Sequence, residues 1–223
     1  MANTIKAQQE QLAKLHITKL NDMQEEALLA IANAENTVLL SPTGTGKTVA
    51  FLLPTLAQLD ANCPHVQLLI LVPSRELAIQ IEQVIREMGS GFKANAVYGG
   101  RPFSKDKIEL AHTPAIVIGT PGRVADHLRR ETFSVKDIKT LVLDEFDKSL
   151  EIGFEGEMSE IIANLSHIEK RVLTSATQGL KIPSFVGLHN ELVIDYLDSK
   201  PSNIQIKKVV SPQKDKLNTL LEL

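Results

Sequence analysis

Tryptophan is absent from the 223-residue sequence, aromatic residues amount to 4%, and there is one cysteine, Cys63. So few rings argue against a surface that binds by stacking many bases. A lone cysteine cannot close an intramolecular disulfide, and with six scattered histidines it offers no metal-binding cluster. No apolar run approaches the roughly 18 residues that a membrane helix needs, and the polar start MANTIKAQQE does not read as a signal peptide. Positive charge is not in excess either, since the formal net charge is −3 and the isoelectric point about 6.1. Any binding of nucleic acid must depend on local geometry, because the field of the whole molecule does not attract phosphate. These absences point away from a secreted, membrane-embedded or disulfide-stapled protein. A cytoplasmic monomer is expected.

What the sequence does contain is a balance of 43% hydrophobic and 23% charged residues, enough to fill a core. Seven short apolar runs recur: Thr37–Leu40, Gln67–Val72, Ala94–Tyr98, Ala115–Ile118, Thr140–Leu143, Arg171–Thr174 and Leu192–Ile194. They are continuous rather than alternating, the pattern of strands covered on both faces. Amphipathic stretches lie between them, such as Arg75 to Met88 with Leu77, Ile81, Val84, Ile85 and Met88 at helical spacing. Two more helices are expected before the first strand, near residues 6–15 and 22–33. The order predicts an α/β fold: a doubly wound, mostly parallel sheet with helices on both faces. Ligands of such sheets bind beyond the carboxyl ends of the strands. This domain is assigned to residues 1–198, whereas 199–223 reads as a hinge, Asp198–Ser202, and the truncated start of a second domain.

The first strand runs into Ser41-Pro-Thr-Gly-Thr-Gly-Lys-Thr48, and a helix is expected to follow to about Leu59. A glycine-rich loop between strand and helix, closed by Gly-Lys-Thr, is the phosphate-binding pattern of P-loop proteins. Gly44 and Gly46 let backbone N–H groups turn inward, and the helix start adds partial positive charge. Lys47 suits the β- and γ-phosphates and the Thr48 hydroxyl suits Mg²⁺, so ATP and Mg²⁺ are the expected cofactors. Ser41, Pro42, Thr43 and Thr45 complete the loop, with Ser41 where the strict pattern has glycine. An acidic partner is expected on a neighbouring strand, and Thr140–Asp147 supplies it. Asp144 can hold Mg²⁺ through water, and Glu145 can orient and deprotonate an attacking water, a role worth ~10²–10⁴-fold in rate. A small-molecule kinase is disfavoured, because this acidic pair suits water activation. A DNA helicase or another P-loop ATPase stays open on these residues.

Asp144-Glu145-Phe146-Asp147 resembles the DEAD motif of the DEAD-box RNA helicases, with Phe in place of Ala. Other family motifs follow in the family's order. Leu20-Asn-Asp-Met-Gln24 resembles the Q motif, and Ser41–Thr48 resembles motif I with Ser where Ala is usual. Pro73-Ser-Arg-Glu-Leu-Ala78 resembles PTRELA, Gly99-Gly100 the GG motif, Thr120-Pro-Gly-Arg123 the TPGR motif and Ser175-Ala-Thr177 the SAT motif. The resemblance runs from about residue 16 to 177 and covers the first of the family's two RecA-like domains.

It implies that Gln24 reads adenine, and that Asp147, Ser175 and Thr177 couple ATP binding to RNA binding. It also implies that Pro73, Ser74, Arg75, Gly99, Gly100, Thr120, Pro121, Gly122 and Arg123 track RNA phosphates, without sequence preference. Thr120 and Pro121 additionally suit a helix N-cap followed by the first helical position. Family members usually stack an aromatic residue from upstream of the Q motif on adenine. None precedes Phe51 here, and either partial aliphatic cover from Leu12 or Leu15 or a shifted start of the chain is expected to account for it. Phe146 needs space behind the acidic loop. The resemblance finally implies that hydrolysis and unwinding require arginines of the second domain, so this chain should bind ATP and ADP while barely hydrolysing ATP. An ATP-gated RNA clamp uses the same first-domain residues and stays open beside unwinding.

Overall fold

All seven apolar runs form strands in the computed structural model, which describes residues 2–177, 179 and 181–198. The expected hinge and second-domain start at 199–223 lie outside the described residues. The strands are β1 (Asn36–Leu40), β2 (Leu68–Leu71), β3 (Ala94–Val97), β4 (Ile116–Gly119), β5 (Thr140–Leu143), β6 (Lys170–Ser175) and β7 (Leu192–Asp195). They pair in the order β3-β4-β2-β5-β6-β1-β7, and every pairing is parallel. The helices are α1 (Ala2–Lys14), α2 (Asp22–Asn33), α3 (Lys47–Leu56), α4 (Arg75–Met88), α5 (Phe103–Ala111), α6 (Pro121–Arg129), α7 (Phe146–Ile152) and α8 (Glu155–Ala163), with a short 3₁₀ turn at Ser184–Val186.

The continuous apolar runs are explained by two hydrophobic layers, because alternate residues of one strand point to opposite faces. Leu68 and Ile70 join Met23, Ile31, Phe51, Ile81 and Ile85 on one face. Leu69 and Leu71 join Val117, Leu143, Phe146, Met158, Ile161 and Val186 on the other. Both faces are dry, so both sets of alternate positions are mainly apolar, and the polar side chains that do occur in the strands, such as Thr37, Asn95 and Thr174, are buried. α4 occupies the span read from its periodicity. Ser74 caps it by accepting the Leu77 N–H at 3.2 Å, and Gly89 ends it in the left-handed region at φ 59°. α3 stops at Leu56 rather than about Leu59. Pro54 withdraws an amide from its last turn, and the N–H groups of Gln58 and Leu59 bond three residues back, to Thr55 and Leu56.

One expectation needs correction. β1 pairs with β6 and β7, and β5 pairs with β2 and β6, so the acidic segment does not follow a neighbour of β1. β6 stands between them, placing two interstrand spacings, ~10 Å, between the two strand ends. Leu12 and Leu15 are partly buried and pack against the first apolar layer as α1 lies on α4. Among the described residues, no helix is long and apolar enough to cross a membrane.

Candidate functional site

The loop after β1 is tied to its surroundings before any charge is considered. Ser41 N–H donates to Ser175 O at 3.0 Å, carrying the β1–β6 ladder one residue further. Gly46 caps α3 with φ 90°, and a Cβ there would lie 2.4 Å from Gln24 Nε2. The positive φ favours glycine there, and a side chain would also have to displace the Gln24 amide. Buried Gln24 donates from Nε2 to Gly46 O at 3.2 Å and accepts the Asn21 N–H at 3.0 Å. Asn21 Oδ1 in turn accepts the Gln24 N–H at 2.9 Å, and its Nδ2 donates to Thr45 O at 3.1 Å. This capping box staples α2 to the loop. Gln24 still has one amide hydrogen and one lone pair for an outside partner. Ser41 repays the loss of glycine with a hydroxyl relay, donating to Thr45 Oγ1 at 2.8 Å, which donates to Pro42 O at 2.9 Å.

Lys47 is buried, and its ammonium donates to the carbonyls of Ser41 at 2.5 Å and Pro42 at 3.0 Å. Burial pulls its pKa below the ordinary lysine value, while the carboxylates of Asp144, Glu145 and Asp147 act in the opposite sense. Thr48 is half-buried in the first turn of α3, and Thr43 and Gly44 are exposed at the loop tip.

The intervening strand has a use of its own. The Thr174 hydroxyl donates to Asp144 Oδ1 and accepts the Glu145 N–H at 3.1 Å. Asp144 is buried at the tip of β5, and burial pushes its pKa up to about 6, with the Glu145 charge adding and Thr174 and Lys47 opposing. Glu145 sits at φ 48° and ψ 51°, a left-handed conformation costing of order 1–3 kcal/mol in a residue with a Cβ. Asp147 is buried, and its Oδ2 accepts from Ala176 N–H at 3.3 Å and Thr177 Oγ1 at 3.0 Å, while Oδ1 has no partner. Ser175 does not reach Asp147 as expected. Its hydroxyl accepts the Thr177 N–H at 3.1 Å and closes the turn after β6.

No group of three or more His, Cys, Asp or Glu able to hold a metal occurs among the described residues. The site fits Mg²⁺ in a different way. Asp144 is a buried carboxylate short of positive charge, and Thr48 offers a hydroxyl, so a Mg²⁺ there would take further ligands from phosphate and water.

The raised pKa of Asp144 sets a stability test. Its ordinary value is 3.8, so folding takes up a proton between that value and about 6. The stabilisation is complete at low pH and is lost as pH rises through 6. Asp144→Asn in magnesium-free buffer is accordingly expected to be the more stable protein at pH 8, by at most about 3 kcal/mol. Its advantage should close towards pH 4, as read by thermal unfolding; an advantage independent of pH would refute the assignment.

The strand order brings the ends of β3, β4 and β2 side by side, and with them Gly99–Gly100, Thr120–Arg123 and Pro73–Arg75. Gly100 takes φ 85°. Thr120 occupies the N-cap of α6 and Pro121 its first position, yet the Thr120 side chain makes no capping bond, and Arg123 and Val124 N–H bond to its carbonyl at 3.0 Å. Arg75 is half-exposed beside Glu76. Arg123 is not exposed to the same degree: only 11% of its side chain is accessible, with Nε on Asp106 Oδ2 at 2.6 Å and Nη2 on Arg101 O at 3.0 Å. A buried carboxylate draws this guanidinium inward, so it does not lie open to a phosphate as expected.

Residues 21–184 match the family model described as DEAD/DEAH box helicase. The chain belongs to that family. It is 37% identical over 157 residues to the ATP-dependent RNA helicase CshA of Limosilactobacillus reuteri, covering 70% of this chain and 32% of that protein. With the ATP-dependent RNA helicase DeaD of Escherichia coli K12 it shares 36% identity over 171 residues, 75% of this chain and 27% of the other. The chain therefore spans about a third or less of these relatives. Among solved structures, a hypothetical ATP-dependent RNA helicase from Sulfolobus tokodaii superposes with a TM-score of 0.77 at 26% identity, covering 86% of this chain and 57% of that one. A DEAD box protein from Methanococcus jannaschii gives 0.69 at 29% identity, covering 78% and 49%. The seven-stranded parallel sheet is that of the RecA-like domain of DEAD-box proteins.

Three residues of this DEAD-box domain escaped the sequence reading. Asn21 was legible, since Asn-x-x-Gln before an apolar run is a capping-box pattern. Thr174 left a weaker sign, a hydroxyl following the apolar pair Val172-Leu173 at the end of a strand. Asp106 left none, because an aspartate in a polar helix looks like any solvated one.

Proposed function

We propose that this chain is the nucleotide-binding first domain of an ATP-dependent RNA helicase, holding Mg²⁺-ATP or ADP and the backbone of single-stranded RNA. The observation that carries this reading is the buried Lys47 ammonium held on the Ser41 and Pro42 carbonyls in the loop after β1, with the buried Asp144 carboxylate at the tip of β5, one strand beyond β6. In this reading Lys47 leaves the Ser41 and Pro42 carbonyls for the β- and γ-phosphates. Thr48 and Asp144 would hold the Mg²⁺, which would neutralise phosphate charge. Gln24 meets adenine with its spare amide hydrogen and lone pair. Glu145, its backbone fixed by Thr174, aims a carboxylate at the attacking water. Asp147 and Thr177 join that acidic segment to the turn after β6, and Arg75 with the amides of Gly99, Gly100 and Gly122 lies along the RNA phosphates.

Calorimetry with magnesium-ADP tests the nucleotide half, since binding heat is expected and its absence would overturn the reading. The chemistry is separable from binding. In a longer protein carrying this chain with a second RecA-like domain, Glu145→Gln should keep nucleotide affinity and lose ~10²–10⁴-fold in hydrolysis rate. Equal losses in both would show that Glu145 is not the base. The 223-residue chain alone should hydrolyse ATP barely at all, because charges from the second domain are worth ~10³–10⁵ in rate. Strong RNA-stimulated hydrolysis by this chain would refute that division of labour.

A further inference from the structure

The buried charges around Asp106 lie outside the nucleotide site and have no assigned task. Asp106, in the first turn of α5, has no accessible side-chain surface, and its carboxylate is shared by two arginines. Arg101 Nε bonds Oδ1, and Arg123 Nε bonds Oδ2 at 2.6 Å. His127 Nε2 lies 3.2 Å from Oδ2, and the second arm of Arg101 reaches Glu109 Oε2 at 2.5 Å. Phe103 roofs the cluster, stacked on His127 with ring centroids 4.4 Å apart and covered by the Arg123 and Arg130 guanidinium groups at 4.8 and 4.4 Å. Such a carboxylate is strongly held, and losing it would leave two cations poorly compensated.

The cluster's position gives it a purpose. Arg101 immediately follows Gly100, and Arg123 closes the Thr120–Arg123 segment, so the two oxygens of one carboxylate grip both candidate phosphate-binding segments. Arg123 also donates to the Arg101 carbonyl at 3.0 Å, a second link between them. Gly119 permits the close approach: a Cβ there would lie 2.7 Å from the Val97 carbonyl and 2.6 Å from Val124 Cγ2. We infer that Asp106 is a positioning residue for RNA, locking the Gly99–Arg101 loop and the start of α6 into one rigid surface spaced for successive phosphates. The inference rests on the RNA reading of this face. Arg123 acts within the lock rather than as a phosphate contact.

The test exploits a sign. Removing a negative charge near an RNA surface tightens binding if only the field matters, whereas loss of a positioning residue loosens it. Asp106→Asn and the milder Glu109→Gln, whose side chain is partly exposed, are compared with the wild-type 223-residue chain. Binding of a ten-nucleotide oligouridylate is read by fluorescence anisotropy with a non-hydrolysable ATP analogue, and magnesium-ADP binding by calorimetry. The lock predicts RNA affinity weakened about fivefold or more in Asp106→Asn and about twofold in Glu109→Gln, against a tightening from charge alone, with ADP affinity unchanged.

Hydrogen exchange supplies a readout free of RNA, in which the amides of 99–101 and 120–124 should lose protection together in both variants. Tighter or unchanged RNA binding, or exchange that leaves the two segments independent, overturns the inference. If the wild-type chain binds ADP but no oligouridylate, the RNA reading fails, and coupled or uncoupled exchange still decides the lock. Should Asp106→Asn not fold, Glu109→Gln decides by the same two readouts.

Discussion

Lys47→Ala is expected to weaken magnesium-ADP binding at least about a hundredfold, to the point where calorimetry on the variant shows no saturable heat. The size follows from what the ammonium does. A hydrogen bond to a charged group is worth ~1.5–3 kcal/mol, and ADP retains the β-phosphate to which the ammonium donates. The substitution also removes the cation that faces Asp144, Glu145 and Asp147. Their negative charge then repels the incoming polyphosphate at short range. Lys47 makes only two internal bonds, to the carbonyls of Ser41 and Pro42, so the fold should survive, and thermal unfolding of the variant checks this. Binding within threefold of wild type would mean that the loop after β1 does not hold phosphate.

Phe146→Ala carries the largest expected effect on stability, although it restores the residue the DEAD motif usually has. The phenyl ring is fully buried in the second apolar layer with Leu143, Met158, Ile161 and Val186. Truncating a buried phenylalanine costs ~3–5 kcal/mol, because transfer energy is lost and the neighbours close the hole only in part. For a domain of this size that lowers the unfolding temperature by roughly 6–20 °C. Nucleotide affinity should change little in the folded protein, since the ring points away from the phosphate loop into the core. An unfolding temperature within 2–3 °C of wild type would show that the layer had repacked, as cores sometimes do.

The fold was legible in this sequence because an all-parallel sheet writes its strands as unbroken apolar runs, and α4 wrote both of its ends as Ser74 and Gly89. The phosphate loop was equally legible, since Gly46, Lys47 and Thr48 are required by local geometry at fixed spacing. What could not be read was which strands become neighbours. The sequence places Thr140–Asp147 as the partner of Ser41–Thr48, but nothing in either segment announces that Arg171–Ser175 will lie between them. Thr174 was missed for that reason, as its role exists only through the pairing. Arg123 shows the same limit from the other side. The resemblance reads it as a phosphate contact, and only the fold reveals the carboxylate of Asp106 beneath it.

The position of β1 has a consequence for how the protein is made. Asn36 pairs with Arg171 on one side, and Thr37 with Leu192 on the other. The second strand in the chain to form its own pairs must likewise wait for β4 and β5. During translation at ~5–20 residues per second, β1 therefore emerges many seconds before either of its neighbours exists. Through that interval Val38 and Leu39 have no sheet to join, so the nascent chain should recruit a holdase at the ribosome exit, and slowing synthesis should lengthen that association.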